Sequence, residues 1–81
     1  MRIWIGNMAP GTTDDEIKEF LKKYSHELEC SQITREDGDG SRPAAVISFA
    51  GGTSDATGKL ALRLNGMYWK GRQLVCNTLM R

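Results

Sequence analysis

Apolar and polar residues alternate from the first positions of the chain. In "RIWIGN", residues 2–7, Ile3 and Ile5 fall on one side of an extended segment and Arg2 and Trp4 on the other, which predicts a strand ending at Gly-Asn. The period changes after the break at "APG". Ile17, Phe20, Leu21 and Tyr24 recur at i, i+3, i+4 and i+7, one face of a helix. Thr13 with Glu16 three residues on makes a capping box, and Asp14 and Asp15 suit the positive end of the helix dipole. Residues 29–35, "ECSQITR", predict a second strand in which only Ile33 is strongly apolar and Ser31 stands where an apolar residue is expected; with Ile33 inward, Gln32 and Thr34 face outward. "EDGDGS" is a turn rich in Gly and Asp. Residues 42–49, "RPAAVISF", predict a third strand, with Ala45, Ile47 and Phe49 inward and Ala44, Val46 and Ser48 outward. A second helix follows in "GGTSDATGKLALRLNG". Leu60, Ala61 and Leu64 share its apolar face, Thr53 or Ser54 caps its start, and Asn65-Gly66 ends it. Gly58 within it costs roughly 1 kcal/mol relative to Ala, so this is the frailer helix. The last segment turns at Lys70-Gly71 and ends in a strand near residues 73–78, with Leu74 and Cys76 inward and Gln73, Val75 and Asn77 outward.

The order is β-α-β-β-α-β. It predicts an α+β fold, the ferredoxin-like sandwich, with a four-stranded antiparallel sheet and two helices on one face. With 81 residues the chain is one domain, residues 1–81, whose core is small. No apolar run reaches the ~18 residues of a membrane span, and no signal-peptide pattern precedes the first strand, so the expected location is the cytoplasm. Cys30 and Cys76 form no Cys-x-x-Cys pair; two reduced thiols are expected, with a disulfide between them the alternative.

Charge and candidate chemistry narrow the function. The net charge is +1, which gives no global attraction to nucleic acid, so any phosphate-binding surface depends on local placement of charge. The single histidine, His26, has no patterned Ser, Cys or Asp partner, so a catalytic triad or a His-based metal site has little support. "DGDG" lacks the spacing of a calcium loop, and neither a P-loop nor a Gly-x-Gly-x-x-Gly segment occurs. A non-catalytic protein without metal or cofactor is the expectation.

Three segments, in order and at matching spacing, carry a family resemblance. "IWIGNM" resembles the strand-one hexamer of the RNA recognition motif, "TTDDEIKEFLKKY" is similar to that family's first helix, and "LRLNGMYWKGRQLVC" to the stretch that leads into its last strand. The resemblance aligns "RPAAVISF" with the strand-three octamer K/R-G-F/Y-G/A-F-V-x-F/Y. Arg42, Ala45, Ile47 and Phe49 keep the pattern. Pro43 replaces its Gly, and Ala44 and Val46 replace two aromatics on which the family stacks bases. The chain begins at its first strand and stops just after its last, which resembles short single-domain bacterial members; an excised domain would have the same outline.

The resemblance implies weak binding of single-stranded RNA, or of single-stranded DNA, on the open sheet face. Trp4 is the expected stacking platform, because the flanking isoleucines take the core side. Arg2 and Arg42 are expected to meet phosphates or base edges; Ala44, Val46 and Val75 to give apolar contact; and Gln73 and Asn77 to read edges, supplemented by Met80 and Arg81. Each base–aromatic stack is worth ~1–3 kcal/mol, so losing two costs roughly 30-fold to 10⁴-fold in affinity. The acidic turn adds repulsion if it neighbours the face. The alternative is a degenerate member that binds a protein, or a second copy of itself, through a small apolar patch at Ala44, Val46 and Val75. Trp69 is expected to pack, Tyr68 to be exposed, and Leu62 to lie off the apolar face of its helix.

Overall fold

A computed structural model describes residues 2–25, 28–50 and 54–79. The elements are β1 (Arg2–Gly6), α1 (Asp14–Tyr24), β2 (Glu29–Arg35), β3 (Ala45–Ala50), α2 (Ser54–Leu64), β4 (Tyr68–Trp69), β5 (Arg72–Gln73) and β6 (Val75–Leu79). β2, β3, β1 and β6 lie side by side in that order in one antiparallel sheet, and β4 and β5 form a small separate hairpin. This is the β-α-β-β-α-β sandwich, with an added hairpin ahead of the last strand.

Both helices cover the same side of the sheet. Ile17, Phe20 and Leu21 of α1 and Leu60, Ala61 and Leu64 of α2 join Ile3, Ile5, Ala45, Ile47, Leu74 and Cys76 in one buried cluster. These are the inward positions that alternation assigns, so a period of two in the strands meets a period of 3.6 in the helices on a shared core. Thr13 caps α1 as expected: its hydroxyl accepts from the Glu16 N–H, and the Glu16 carboxylate accepts from the Thr13 N–H. Burial pushes the Cys76 thiol up to about 12 and the Cys30 thiol upward as well; both cysteines are free. His26, Thr53, Met80 and Arg81 lie outside the described residues.

Three boundaries differ from the alternation reading, each for a local reason. β3 begins at Ala45 rather than residue 42, since Pro43 has no N–H for a ladder. Its carbonyl still accepts from the Met8 N–H, and the Ala44 carbonyl accepts from the Glu36 N–H, so the chain stays in the plane of the sheet. The expected strand over 73–78 is divided. Arg72 and Gln73 pair back onto Trp69 and Tyr68 across a turn at Lys70-Gly71, where both residues have positive φ (54° and 81°) as a tight hairpin turn requires. Val75 then begins the strand that pairs with β1. In β2, Cys30 stands opposite Phe49 and Gln32 opposite Ser48, so Ser31 is the extra residue of a β-bulge. The bulge explains the polar residue at that position: it lets Cys30 and Ile33 face the core from opposite sides of Ser31, whose hydroxyl donates to the Ser48 carbonyl.

Candidate nucleic-acid interface

The sheet side away from the helices carries every second residue of its strands. The register places Trp4 between Val46 and Asn77, and Arg2 between Ser48 and Leu79. Thr34 lies opposite Val46, and the next outward residue on the β2 side is Glu36, whose N–H meets the Ala44 carbonyl. Trp4, Arg2, Ala44, Val46, Val75 and Asn77 therefore share this face.

Trp4 does not stand up from it. A Cβ added at Gly6 would overlap Cη2, Cζ3 and Cζ2 of the indole, so the ring lies down on the Gly6 backbone, two residues along the same strand face. Its Nε1–H donates to Glu36 Oε1 at 3.1 Å. The benzo end of the indole thus lies over Gly6 of β1, and the Glu36 side chain reaches the ring's Nε1 edge from beyond the end of β2. Glycine is required at position 6 by this close approach. On the neighbouring strand Ala44 and Val46 are only 6% and 9% exposed, although they lie outside the helical-side core cluster. This corrects the expectation that they form an apolar contact surface: they point outward but are covered. Of the expected patch only Val75, 43% exposed, remains open.

Beside the indole is a depression of about 660 Å³ lined by Trp4, Asn7, Arg42, Ala44, Arg72 and Val75. Asn7 and Arg72 are functional candidates that the sequence reading passed over. Asn7 has φ 60°, a left-handed conformation that Asn tolerates better than most residues. That geometry turns its side chain toward the hairpin. Its Nδ2 donates to the Gln73 carbonyl at 2.8 Å, and its Oδ1 accepts from Arg72 at 2.7 Å. Arg72 also donates to the Ser41 carbonyl at 3.5 Å, which brings it next to Arg42. Arg72 is half-buried, held by neutral oxygens, and makes no ion pair with a carboxylate among the described residues. A guanidinium so placed keeps its charge and most of its donors for an anion. The Gly-Asn that ends "RIWIGN" was the only local signal for this pair.

Gln73 is exposed, but its amide donates to the Gly66 carbonyl within the hairpin, away from the position expected for edge reading. Asn77 is exposed beside Trp4, and Arg42 is exposed at the rim. The other arginine of the β2–β3 region, Arg35, faces the helical side. Its partial burial would lower its pKa, but bonds to Asp14 and Asp37 hold it above its ordinary value. In the acidic turn, hydrogen bonds from Ser41 lower the Asp39 pKa.

An open-faced α+β sandwich with one flat aromatic ring and a cationic rim is the class of molecule these features define. Comparison with known proteins narrows it. The family model "RNA recognition motif" matches residues 3–75. The chain belongs to the RNA recognition motif family, a family of RNA-binding modules. A search of curated proteins gave no match. Solved structures share the fold. The third RRM of Pes4 matches at TM-score 0.78 and 21% identity over 99% of this chain and 92% of that chain. The three N-terminal RNA-binding domains of the yeast splicing factor Prp24 match at 0.77 and 22%, over 94% of this chain and 31% of that one. The Rna15 RRM, solved with bound RNA (GU), matches at 0.71 and 17%, over 99% and 83%.

Proposed function

We propose that this protein is a non-catalytic module that binds short single-stranded RNA weakly on its open sheet face. One observation carries the reading. The Trp4 indole lies with one face on Gly6, and the depression beside it is flanked by Arg42 and Arg72. A ring with its other face toward solvent is a platform for one base, and the arginines suit the phosphates on either side of that base. The Rna15 RRM, similar in fold, was solved with RNA.

Binding is weak because one ring stands where the family uses three, and because Glu36 brings a negative charge to the same face. Few phosphate contacts mean a shallow salt dependence. The protein-partner reading loses support on this face, since Ala44 and Val46 are covered.

The test is an NMR titration with pools of short single-stranded RNA at low salt. Amide shifts clustered on residues 2–7, 42–46 and 72–77, and diminished in Trp4→Ala, are the expected result. Silence across the sheet at millimolar RNA would overturn the proposal and favour a protein partner.

A further inference from the structure

Glu36 is an unusual neighbour for a base-stacking ring. Backbone pairing puts it on the open face: Thr34 lies opposite Val46, Arg35 opposite Ala45, and the Glu36 N–H donates to the Ala44 carbonyl at 2.8 Å. Its carboxylate reaches the edge of the indole, where Oε1 accepts from Trp4 Nε1. Oε2 has no partner among the described residues, and the residue is exposed. The indole hydrogen bond fixes where the carboxylate stands relative to the ring plane. A base stacked on the ring would extend its edge past the ring's rim, and on the β2 side that rim ends at Glu36.

We propose that Glu36 is a specificity-determining residue and that it selects guanine as the base stacked on Trp4. This rests on the proposal that Trp4 stacks a base. The selection follows from donor and acceptor patterns. An ionised carboxylate only accepts, through two oxygens with about four lone-pair sites between them, so Oε1 keeps capacity after taking the indole proton. Guanine alone offers two adjacent donors on its pairing edge, N1–H and the 2-amino group. Adenine and cytosine each offer one amino group beside a ring-nitrogen acceptor. Uracil offers one N–H between two carbonyls. Against a carboxylate, each of these three sets a lone pair opposite an oxygen, while guanine forms two charge-assisted hydrogen bonds. The carboxylate that repels phosphate is thereby matched to one base edge, with Arg42 and Arg72 in the depression beside the ring to take the phosphates.

The test titrates the unmodified protein with short uridine-rich oligonucleotides that carry one central guanine, inosine, adenine or cytosine. Guanine is expected to bind tightest, on the order of tenfold over adenine. Inosine, which keeps N1–H but lacks the 2-amino group, should fall between. Glu36→Gln should erase most of the guanine preference while the oligonucleotide still shifts Trp4. Equal affinity for guanine and adenine overturns the inference, as does inosine equal to guanine, or a preference that survives Glu36→Gln. Equal binding of all four oligonucleotides that Trp4→Ala abolishes would leave the RNA-binding proposal standing and this one refuted. No binding of any oligonucleotide would refute both.

Discussion

Trp69 and Trp4 lie on opposite sides of the same sheet. Trp69 stacks on Phe20, with centroids 4.3 Å apart and planes 18° from parallel, and Phe20 in turn meets Tyr24 edge-on at 5.1 Å. The Lys70 ammonium stands 5.8 Å from the Trp69 ring centre, and the Arg63 guanidinium 5.3 Å from that of Tyr24. Trp4 has no aromatic neighbour among the described residues. It rests on a glycine backbone and is tethered at its one polar atom. The difference is in what completes each ring. Trp69 is completed by the protein's own side chains and docks the β4–β5 hairpin on α1. Trp4 lies with one face on the Gly6 backbone and leaves the other unfilled. Phe20, Tyr24, Phe49 and Trp69 gather on the helical side, and Trp4 alone among the described strand residues lays a ring on the open face.

Exchanging the two truncations gives the largest expected contrast. Trp69→Ala removes a half-buried stacked ring. Full burial would make this worth about 3–5 kcal/mol, and half-burial lowers it to about 2–3 kcal/mol. In a domain of this size that is a loss of roughly 10 °C or more in Tm. Thermal denaturation checks it, and RNA affinity measured well below the new Tm should be unchanged. Trp4→Ala should show the converse. Stability falls less, by about 1 kcal/mol, since the ring lies on the Gly6 backbone with no aromatic partner among the described residues. Affinity for single-stranded RNA falls about 5-fold to 150-fold. A Trp4→Ala variant as unstable as Trp69→Ala would mean that Trp4 is a packing residue, and the contrast would fail.

Gly6→Ala sharpens the comparison with a smaller change. Gly6 lies in a strand without positive φ, so alanine suits its backbone and could add a few tenths of a kcal/mol in strand propensity. The new methyl group cannot coexist with the indole in its present place. The ring must lift, breaking its bond to Glu36. The expected readout is a shifted Trp4 indole N–H resonance with that of Trp69 unmoved, and a several-fold loss of RNA affinity at preserved stability. An unmoved Trp4 resonance would show that the ring does not rest on Gly6.

The residues that make this contrast were unequally legible in the sequence. Parity along "RIWIGN" and "RPAAVISF" is enough to put Trp4, Ala44 and Val46 outward, because a strand has only two faces. It cannot say that Ala44 and Val46 are buried on that face, nor that the Trp4 ring lies down on Gly6, because both depend on side chains brought together across the sheet. The Ser31 bulge was present only as a misfit, a polar residue where alternation from Ile33 expects an apolar one; the insertion that turns Cys30 and Ile33 to the same face shows only in the register. Asn7 and Arg72 were hidden by distance. They stand 65 positions apart, and their bond depends on a left-handed Asn and a hairpin that divides what reads as one continuous strand.

The Trp69 side has one further support, and its pH dependence gives the smallest effect. Lys70, in the hairpin turn, donates to Glu16 Oε2 at 2.8 Å, while Glu16 also accepts the Thr13 N–H of the capping box. The Lys70 hydrogen bond chiefly, then that of Thr13, holds the Glu16 carboxyl below its ordinary value of 4.5. A lowered folded-state pKa means that the native state favours the ionised form more than the unfolded chain does. The resulting stabilisation is complete above the ordinary value. It declines as pH falls through the lowered one, and is absent once Glu16 is protonated in both states. Glu16→Gln should therefore lower Tm slightly at neutral pH, with the two Tm curves converging in acid. Because the pair is solvent-exposed, salt should shrink the gap as well. A gap that stays constant with pH would assign the effect to the capping geometry alone, and the hairpin would then be held on α1 by the Trp69–Phe20 stack without help from charge.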